Sequence, residues 1–291
     1  EKDKDVGTVD VQLIGGANVK TTMDAGVWYG PIFQKLPSAS KLDQKLASYQ
    51  EGVETKGYLV PIYRNQTAFL YDPDRVQNPP QTWDQLVAWI DANPKGFAFS
   101  DPNKGGTGQA FVQTAIANLT GGIDKYKGDT EVVPEKVADW NKVWDWFKTN
   151  LSKLDVTVSN NESLDHLNQG AAALIVAWDD DTQVALSKGT LFKRAKMYIP
   201  EMGLPGGGDT AGIAKNAPHK AASLLFLDFL TSLEMQKLMN ETIGSYPART
   251  DITDVKQLIA EDQRQKYGVP WVPAPYKKLF SEEFTKQVLT R

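Results

Sequence analysis

The residues with the clearest chemical potential are three consecutive carboxylates, Asp179, Asp180 and Asp181, which directly follow Trp178. The apolar run Ala171–Trp178 that precedes them has the length of a buried strand. Ligands of open α/β sheets bind beyond the carboxyl ends of strands, so Trp178, Asp179 and Asp180 are candidate ligand contacts. An indole face beside carboxylates could hold an ammonium or another organic cation. The alternative is that the aspartates only cap a helix that is predicted to begin at Asp181.

A second candidate is the glycine-rich run Gly105–Gln109 (GGTGQ), which precedes a helix predicted over Ala110–Leu119. Free N–H groups at a helix N-terminus attract anions and carbonyl oxygens. The candidate contacts are Gly106, Thr107, Gly108 and Gln109. No lysine follows the glycines, so the run is not a nucleotide phosphate loop. A plain loop and helix cap is the competing interpretation. With the carboxylates, the run would suit a solute with a cationic head and a polar or phosphate-like tail.

Two polar or glycine-rich segments are predicted joints of the chain. Tyr63–Gln66 separates the predicted strands Tyr58–Ile62 and Thr67–Tyr71, and Pro205–Gly208 is predicted to be a flexible joint before a strand over Ala211–Ala214. Aromatic and polar side chains at such joints could contact a ligand, although solvated connectors would have the same composition. The candidates here are Tyr63, Arg64 and Asn65 and, at a later interruption, Tyr246 and Arg249.

Other conspicuous residues fit structural roles. Trp140 and Trp144 recur with three other apolar residues on one face of a helix predicted over Pro134–Leu151, which favours core packing over a ligand platform. His166 and His219 lie far apart in sequence and have no partners spaced for a catalytic triad or a zinc site. The chain has no cysteine. We therefore predict no catalytic residue, no metal and no cofactor.

Composition places the chain among ordinary globular proteins. Its 291 residues are 41% hydrophobic and 23% charged, enough for one large or two medium α/β domains. A net charge of −4 argues against a nucleic-acid partner, which requires a basic face. No apolar run approaches the ~18 residues of a membrane-spanning helix.

The elements that must position these candidates alternate between strands and helices. Val9–Ile14 predicts a strand, followed by a short helix from Asn18. Thr82 and Gln85 have the spacing of a capping box at a helix start. Pro218 is predicted at the first position of a later helix, one face of which carries Ala222, Leu225, Phe226 and Phe229. This alternation predicts an α/β fold with largely parallel, helix-covered sheets.

Five blocks of the sequence resemble the extracellular solute-binding protein family 1, which includes the maltodextrin-binding proteins. The order and spacing of the blocks cover almost the whole chain, and their most specific parts are YDPDRV, NPP and KNAPHKAA. The blocks are Asp10–Trp28, Val60–Val76, Asn78–Trp83, Gly170–Trp178 and Gly212–Leu230. The resemblance is to an uncharacterised subgroup, whose ligand it does not name.

The resemblance implies a two-lobed periplasmic-binding-protein architecture of type II, with ligand held between the lobes and no catalysis. The expected lobes are residues 1–66 with 211–247 and residues 67–210 with 248–291, with crossings near 63–67, 207–211 and 245–250. Family members begin with a strand and helix upstream of the first block, so the first lobe is expected to lack them here. Sugar binders of the family carry charged and aromatic residues where this chain has Gly16 and Asn18. These two residues are therefore candidate contacts for a different ligand.

The implied function is the substrate-binding component of an ABC importer. It would capture a small polar solute, cationic if the carboxylates contact it, by hinge closure and deliver it to permease and ATPase subunits. The protein would be a monomer in the periplasm or, in a Gram-positive cell, anchored by lipid at the surface. A two-lobed transferase and the effector-binding lobe of a transcription regulator are the alternatives, but no nucleophile, base or helix-turn-helix motif supports either.

Overall fold

The computed structural model describes residues 4–290 and divides the chain into two compact units. The first unit contains Glu1–Asn65 and Gly207–Lys256, and the second contains Gln66–Gly206 and Gln257–Arg291. The chain therefore passes from one unit to the other three times. These units are defined by contacts within each part of the chain, and not by a movement of one part against the other. The lobes and hinge crossings expected from the sequence therefore stay a prediction.

The strands are short except for two that run through the unit boundaries. In chain order they are β1 (Val11–Ile14), β2 (Trp28–Tyr29), β3 (Tyr49–Gln50), β4 (Val53–Glu54), β5 (Leu59–Tyr71), β6 (Phe97–Ser100), β7 (Leu154–Thr157), β8 (Leu174–Trp178), β9 (Lys196–Tyr198), β10 (Leu204–Ala214), β11 (Tyr246–Pro247) and β12 (Gly268–Pro270).

Helices make up most of the remaining regular structure. They are α1 (Gly16–Asp24), α2 (Gln44–Ser48), α3 (Trp83–Ala92), α4 (Gly106–Leu119), α5 (Pro134–Val137), α6 (Asn141–Asn150), α7 (Asn160–Gln169), α8 (Asp179–Lys188), α9 (Lys220–Leu230), α10 (Leu233–Ile243), α11 (Glu261–Tyr267) and α12 (Ala274–Phe284). None of the helices within residues 4–290 combines the length and the apolar character needed to cross a membrane.

Both joints predicted from composition lie where the chain passes from one unit to the other, but neither interrupts a strand, as the prediction of a break required. Tyr63–Gln66 lies inside β5, and Pro205–Gly208 lies inside β10. Short strands pair with each segment: β11 hydrogen-bonds along β5 at Tyr63 and Arg64, and β12 runs beside the start of β10. Pairing partners brought in from distant sequence therefore hold these polar stretches extended.

The second unit is built on a mixed sheet. β6 pairs in parallel with β7 and with β8, whereas β5 pairs antiparallel with β8 and with β9. Its core is rich in aromatic rings, with Phe111 of α4 packed against Phe97 and Phe99 at centroid distances of 4.9 and 4.6 Å. The α/β class is confirmed, but the sheet is less purely parallel than predicted.

Two helical predictions in this unit can be compared directly. Thr82 caps α3, and the Gln85 side chain accepts from the Thr82 N–H, so the capping box is confirmed. Trp140 and Trp144 are 3% and 6% exposed, which confirms their core role. The single helix predicted around them is instead split into α5 and α6.

The first unit carries strands β1 and β2 against β10. Among residues 4–290, β1 pairs with β10 on one side only, and its Leu13 is half exposed. α9 begins at Lys220, so Pro218 is not its first residue. The predicted apolar face of α9 lies toward solvent, because the helix buries Leu227 and Leu230 instead.

Candidate functional site

The turn between β8 and α8 places Trp178 and the three aspartates. Trp178 ends β8 and is the N-cap residue of α8, and the aspartates form the first helical turn. The helix thus begins two residues earlier than predicted. Carboxylates in the first turn are stabilised by the positive end of the helix dipole, which accounts for part of this acidic run.

Asp179 is turned into the protein and is paired. Its Oδ1 accepts the Gln66 N–H at 2.8 Å, and its Oδ2 forms an ion pair with the Arg264 guanidinium of α11. Both side chains are nearly inaccessible, at 5% and 9% exposure. The cation hypothesis assumed that all three carboxylates are unpaired. That assumption is wrong for Asp179. Nothing in the sequence singled out Arg264, which lies 85 residues away.

Asp180 is the carboxyl with the most unusual environment. Burial, followed by the negative charges of Asp179 and Asp181, raises the pKa of Asp180 to about 7. The Asp181 N–H donates to its Oδ1 at 2.9 Å and offsets part of this effect. Burial and the charge of Asp179 also raise the pKa of Asp181. Asp180 and Asp181 therefore hold their protons more tightly than ordinary aspartates, and they are the two carboxyls of this turn outside the Asp179–Arg264 ion pair.

We expect Asp180→Asn to stabilise the protein, and more so at about pH 8 than at about pH 5. A carboxyl with a raised folded-state pKa binds its proton more tightly in the native state, so its charge costs stability as the pH rises from about 4 through about 7. The gain should be about 1–3 kcal/mol above neutral pH. Urea unfolding at the two pH values measures it.

The matched control is Asp84→Asn, which removes an exposed carboxylate from the first turn of α3. It should change stability by less than about 0.5 kcal/mol at both pH values. An equal effect of Asp180→Asn at the two pH values would contradict the explanation by burial.

The glycine-rich run forms the start of α4, with Gly105 as its N-cap residue. The Thr107 N–H donates to Asn160 Oδ1 at 3.2 Å, and the Gly108 N–H donates to Ser100 Oγ at 3.0 Å. The Gln109 N–H donates to the Gly105 carbonyl at 3.4 Å. These three amides are thus engaged within the second unit, and the Thr107 side chain is fully buried. The anion site expected from this run is largely occupied by the protein's own acceptors.

Gly106 and Trp178 are brought into contact. A Cβ atom added at Gly106 would lie 2.8 Å from the indole ring, so only glycine allows this approach. Trp271, which the sequence did not single out, lies against Trp178 with ring centroids 6.1 Å apart and an interplanar angle of 40°. The second unit therefore brings together the glycine-rich run and the turn after β8, which the sequence predicted as separate sites. It also adds Trp271 from the C-terminal segment.

Gln113 holds the segment that carries Trp271. Its side chain donates to the Pro270 carbonyl at 2.9 Å and accepts the Val272 N–H at 3.0 Å. The Lys277 ammonium lies 4.7 Å from the centroid of the Trp271 ring. Gln113 therefore fixes the backbone of the residues before and after Trp271. The Trp271 side chain itself is half-buried.

The candidates of the first unit form a separate group. Tyr63 Oη donates to Asp209 Oδ2 at 2.6 Å, and Arg64 donates to the Pro247 carbonyl at 2.8 Å and lies over the Tyr246 ring. Asn65 follows them as a half-buried residue of β5.

Other predicted contacts of this unit lie in different surroundings. Arg249 forms an ion pair with Asp251 at 2.7 Å. Gly16 starts α1 close to the Glu51 carboxylate, and Asn18 is exposed on the same helix. Among residues 4–290, no group of three or more His, Cys, Asp or Glu side chains is arranged to hold a metal ion.

Two α/β units with three chain crossings define a two-lobed binding-protein fold, and solved structures agree. A 16% identical ABC transporter structure from Clostridium perfringens aligns with a TM-score of 0.69 over 99% of this chain and 85% of its own. The periplasmic binding protein AfuA from Actinobacillus pleuropneumoniae, with fructose-6-phosphate bound, is 17% identical, with a TM-score of 0.66 over 97% and 83%. A solute-binding protein from Thermotoga lettingae with α-D-tagatose bound is 16% identical, with a TM-score of 0.69 over 96% and 79%.

The family follows from the sequence itself. The model of the bacterial extracellular solute-binding proteins matches residues 1–266, so the chain belongs to that family. Its role is therefore to bind a solute, and the resemblance inferred from the sequence blocks is confirmed. No curated protein matches the chain.

Proposed function

We propose that this protein is the solute-capturing component of a bacterial ABC importer. It binds a small polar solute without transforming it and presents it to permease and ATPase subunits. The observation that carries the proposal is the family match over residues 1–266, and the ABC transporter structures of the same fold support it. The family also supports a location outside the cytoplasm, in the periplasm or, lipid-anchored, at the cell surface.

Capture is proposed to occur by closure of the two units on the solute. A solute that binds the closed arrangement more tightly than the open one shifts the population toward it. In the second unit, Gln66 and Thr67 attach β5 to β10 beside two crossings. Gln66 Nε2 donates to the Leu204 carbonyl at 2.9 Å, and Thr67 Oγ1 donates to the Pro205 carbonyl at 2.5 Å. These bonds would keep the two crossing strands together during such a movement.

The proposed contacts in the second unit are Trp178 and Asp180, with Gly106 leaving room for the indole. Because Arg264 neutralises Asp179, the proposed preference for a positively charged group rests on Asp180. Candidates in the first unit are Tyr63, Arg64, Asn65 and Tyr246. Sugars and sugar phosphates, which two of the solved relatives carry, are the competing ligand classes.

The test is native mass spectrometry of the purified protein, followed by titration with thiamin, spermidine, tagatose and phosphate. We expect one solute class to bind at one per chain and to be recovered unchanged, and small-angle scattering to show compaction. Recovery of a chemically altered solute would favour an enzyme. Failure of every class to bind, with no copurified solute, would overturn the proposal.

A further inference from the structure

Trp178 and Trp271 are two partly buried tryptophans in contact with each other. Each indole is half-buried, although the second unit has a large aromatic core that buries other tryptophans. Their ring centroids lie 6.1 Å apart at an interplanar angle of 40°, so the indoles pack against each other and do not form two parallel plates with a gap between them. Aromatic side chains that are only partly buried and lie together are candidates for a binding surface.

The protein holds both rings in position before any ligand arrives. Gly106 packs against the Trp178 indole, and a side chain there would displace it. Gln113 is 1% exposed and binds the backbone on both sides of Trp271. A buried polar side chain that orients a partly buried ring reduces the entropy that ligand binding would otherwise cost.

Charge selects among the ligands that aromatic rings accept. The acidic turn after Trp178 carries Asp180 and Asp181 in addition to the ion-paired Asp179. The Lys277 ammonium lies 4.7 Å from the centroid of the Trp271 ring, so a ligand cation would have to lie on the indole surface away from this ammonium. Arg264 offsets the charge of Asp179, which leaves Asp180 and Asp181 as the carboxyls of this turn that can balance a positive charge, Asp180 increasingly as the pH rises through its pKa of about 7. An indole face next to a carboxylate favours a cationic group over a neutral or anionic one.

We infer that Trp178 and Trp271 together bind the flat face of a planar organic cation, with Asp180 beside it as the counter-charge. This inference rests on the proposed solute-binding function and assigns Trp271 as a ligand contact. Gln113 is a positioning residue, because it acts through the backbone of Trp271.

The experiment uses a matched pair of probes, the N-methylnicotinamide cation and uncharged nicotinamide, with thiamin as a larger planar cation. Tryptophan fluorescence of the full chain should be quenched saturably by both cations and at least tenfold more weakly by nicotinamide. Trp271→Leu should raise the Kd of the cations at least tenfold, whereas Trp271→Phe should largely restore binding. Asp180→Asn should reduce the preference for the cation over nicotinamide.

Trp89→Leu is the control, because Trp89 is another half-buried tryptophan, on α3. It should leave the Kd unchanged, and thermal melting should show that every variant is folded. Absence of saturable quenching by either cation would overturn the inference, as would an unchanged Kd for Trp271→Leu. Binding of spermidine or tagatose with the same Kd in Trp271→Leu as in the unmodified protein would overturn the inference and leave the proposed function intact. Absence of any bound solute would overturn both the inference and the proposed function.

Discussion

Asp179→Ala should lower the free energy of unfolding by about 3–5 kcal/mol, because it removes one member of a buried ion pair. The Arg264 guanidinium would lose the carboxylate that compensates its charge at 9% exposure. The Gln66 N–H would lose its acceptor at the first residue of the second unit. An unsatisfied buried donor and an uncompensated charge are both costly.

Urea unfolding followed by tryptophan fluorescence measures this loss. The control is Asp254→Ala, which breaks the exposed ion pair with Lys237, and it should cost far less stability than Asp179→Ala. The double variant Asp179→Leu, Arg264→Met should recover part of the stability, since apolar groups can replace a buried ion pair. A loss below about 1 kcal/mol for Asp179→Ala would show that the carboxylate is not needed for packing.

Gly108→Ala is expected to destabilise the protein by about 3 kcal/mol or more. In most helices the same change stabilises, by up to about 1 kcal/mol, because alanine is the better helix former. Here the added Cβ atom would lie 1.9 Å from the Ser100 carbonyl oxygen and 2.8 Å from the Pro102 nitrogen. Both are backbone atoms, so relief requires a shift of α4 away from the end of β6.

Gly16→Ala in α1 is the matched control, because the atoms that its Cβ would meet belong to the Glu51 side chain. A flexible side chain can move aside, so the effect should stay within about 1 kcal/mol. Thermal and urea unfolding of both variants decide the comparison. A stabilising Gly108→Ala would mean that helix propensity outweighs the close contact.

The sequence alone determined those features that depend on neighbouring residues. The Thr82–Gln85 capping box and the Trp140–Trp144 stripe could be predicted because their partners lie three or four residues apart, within one or two helical turns. The α/β class followed from the alternation of such local patterns. The family followed from blocks of sequence whose order runs along almost the whole chain, and the family match confirmed it.

Only the tertiary structure decided which candidates are available to a ligand. Asp179 was predicted as a contact, but Arg264 from a distant helix neutralises it. Tyr63–Gln66 has the composition of a connector, but partner strands hold it extended within β5. Trp271 became a candidate through its contact with Trp178, 93 residues earlier in the chain by their sequence numbers. These outcomes depend on packing between segments far apart in sequence, and local spacing carries no information about such partners.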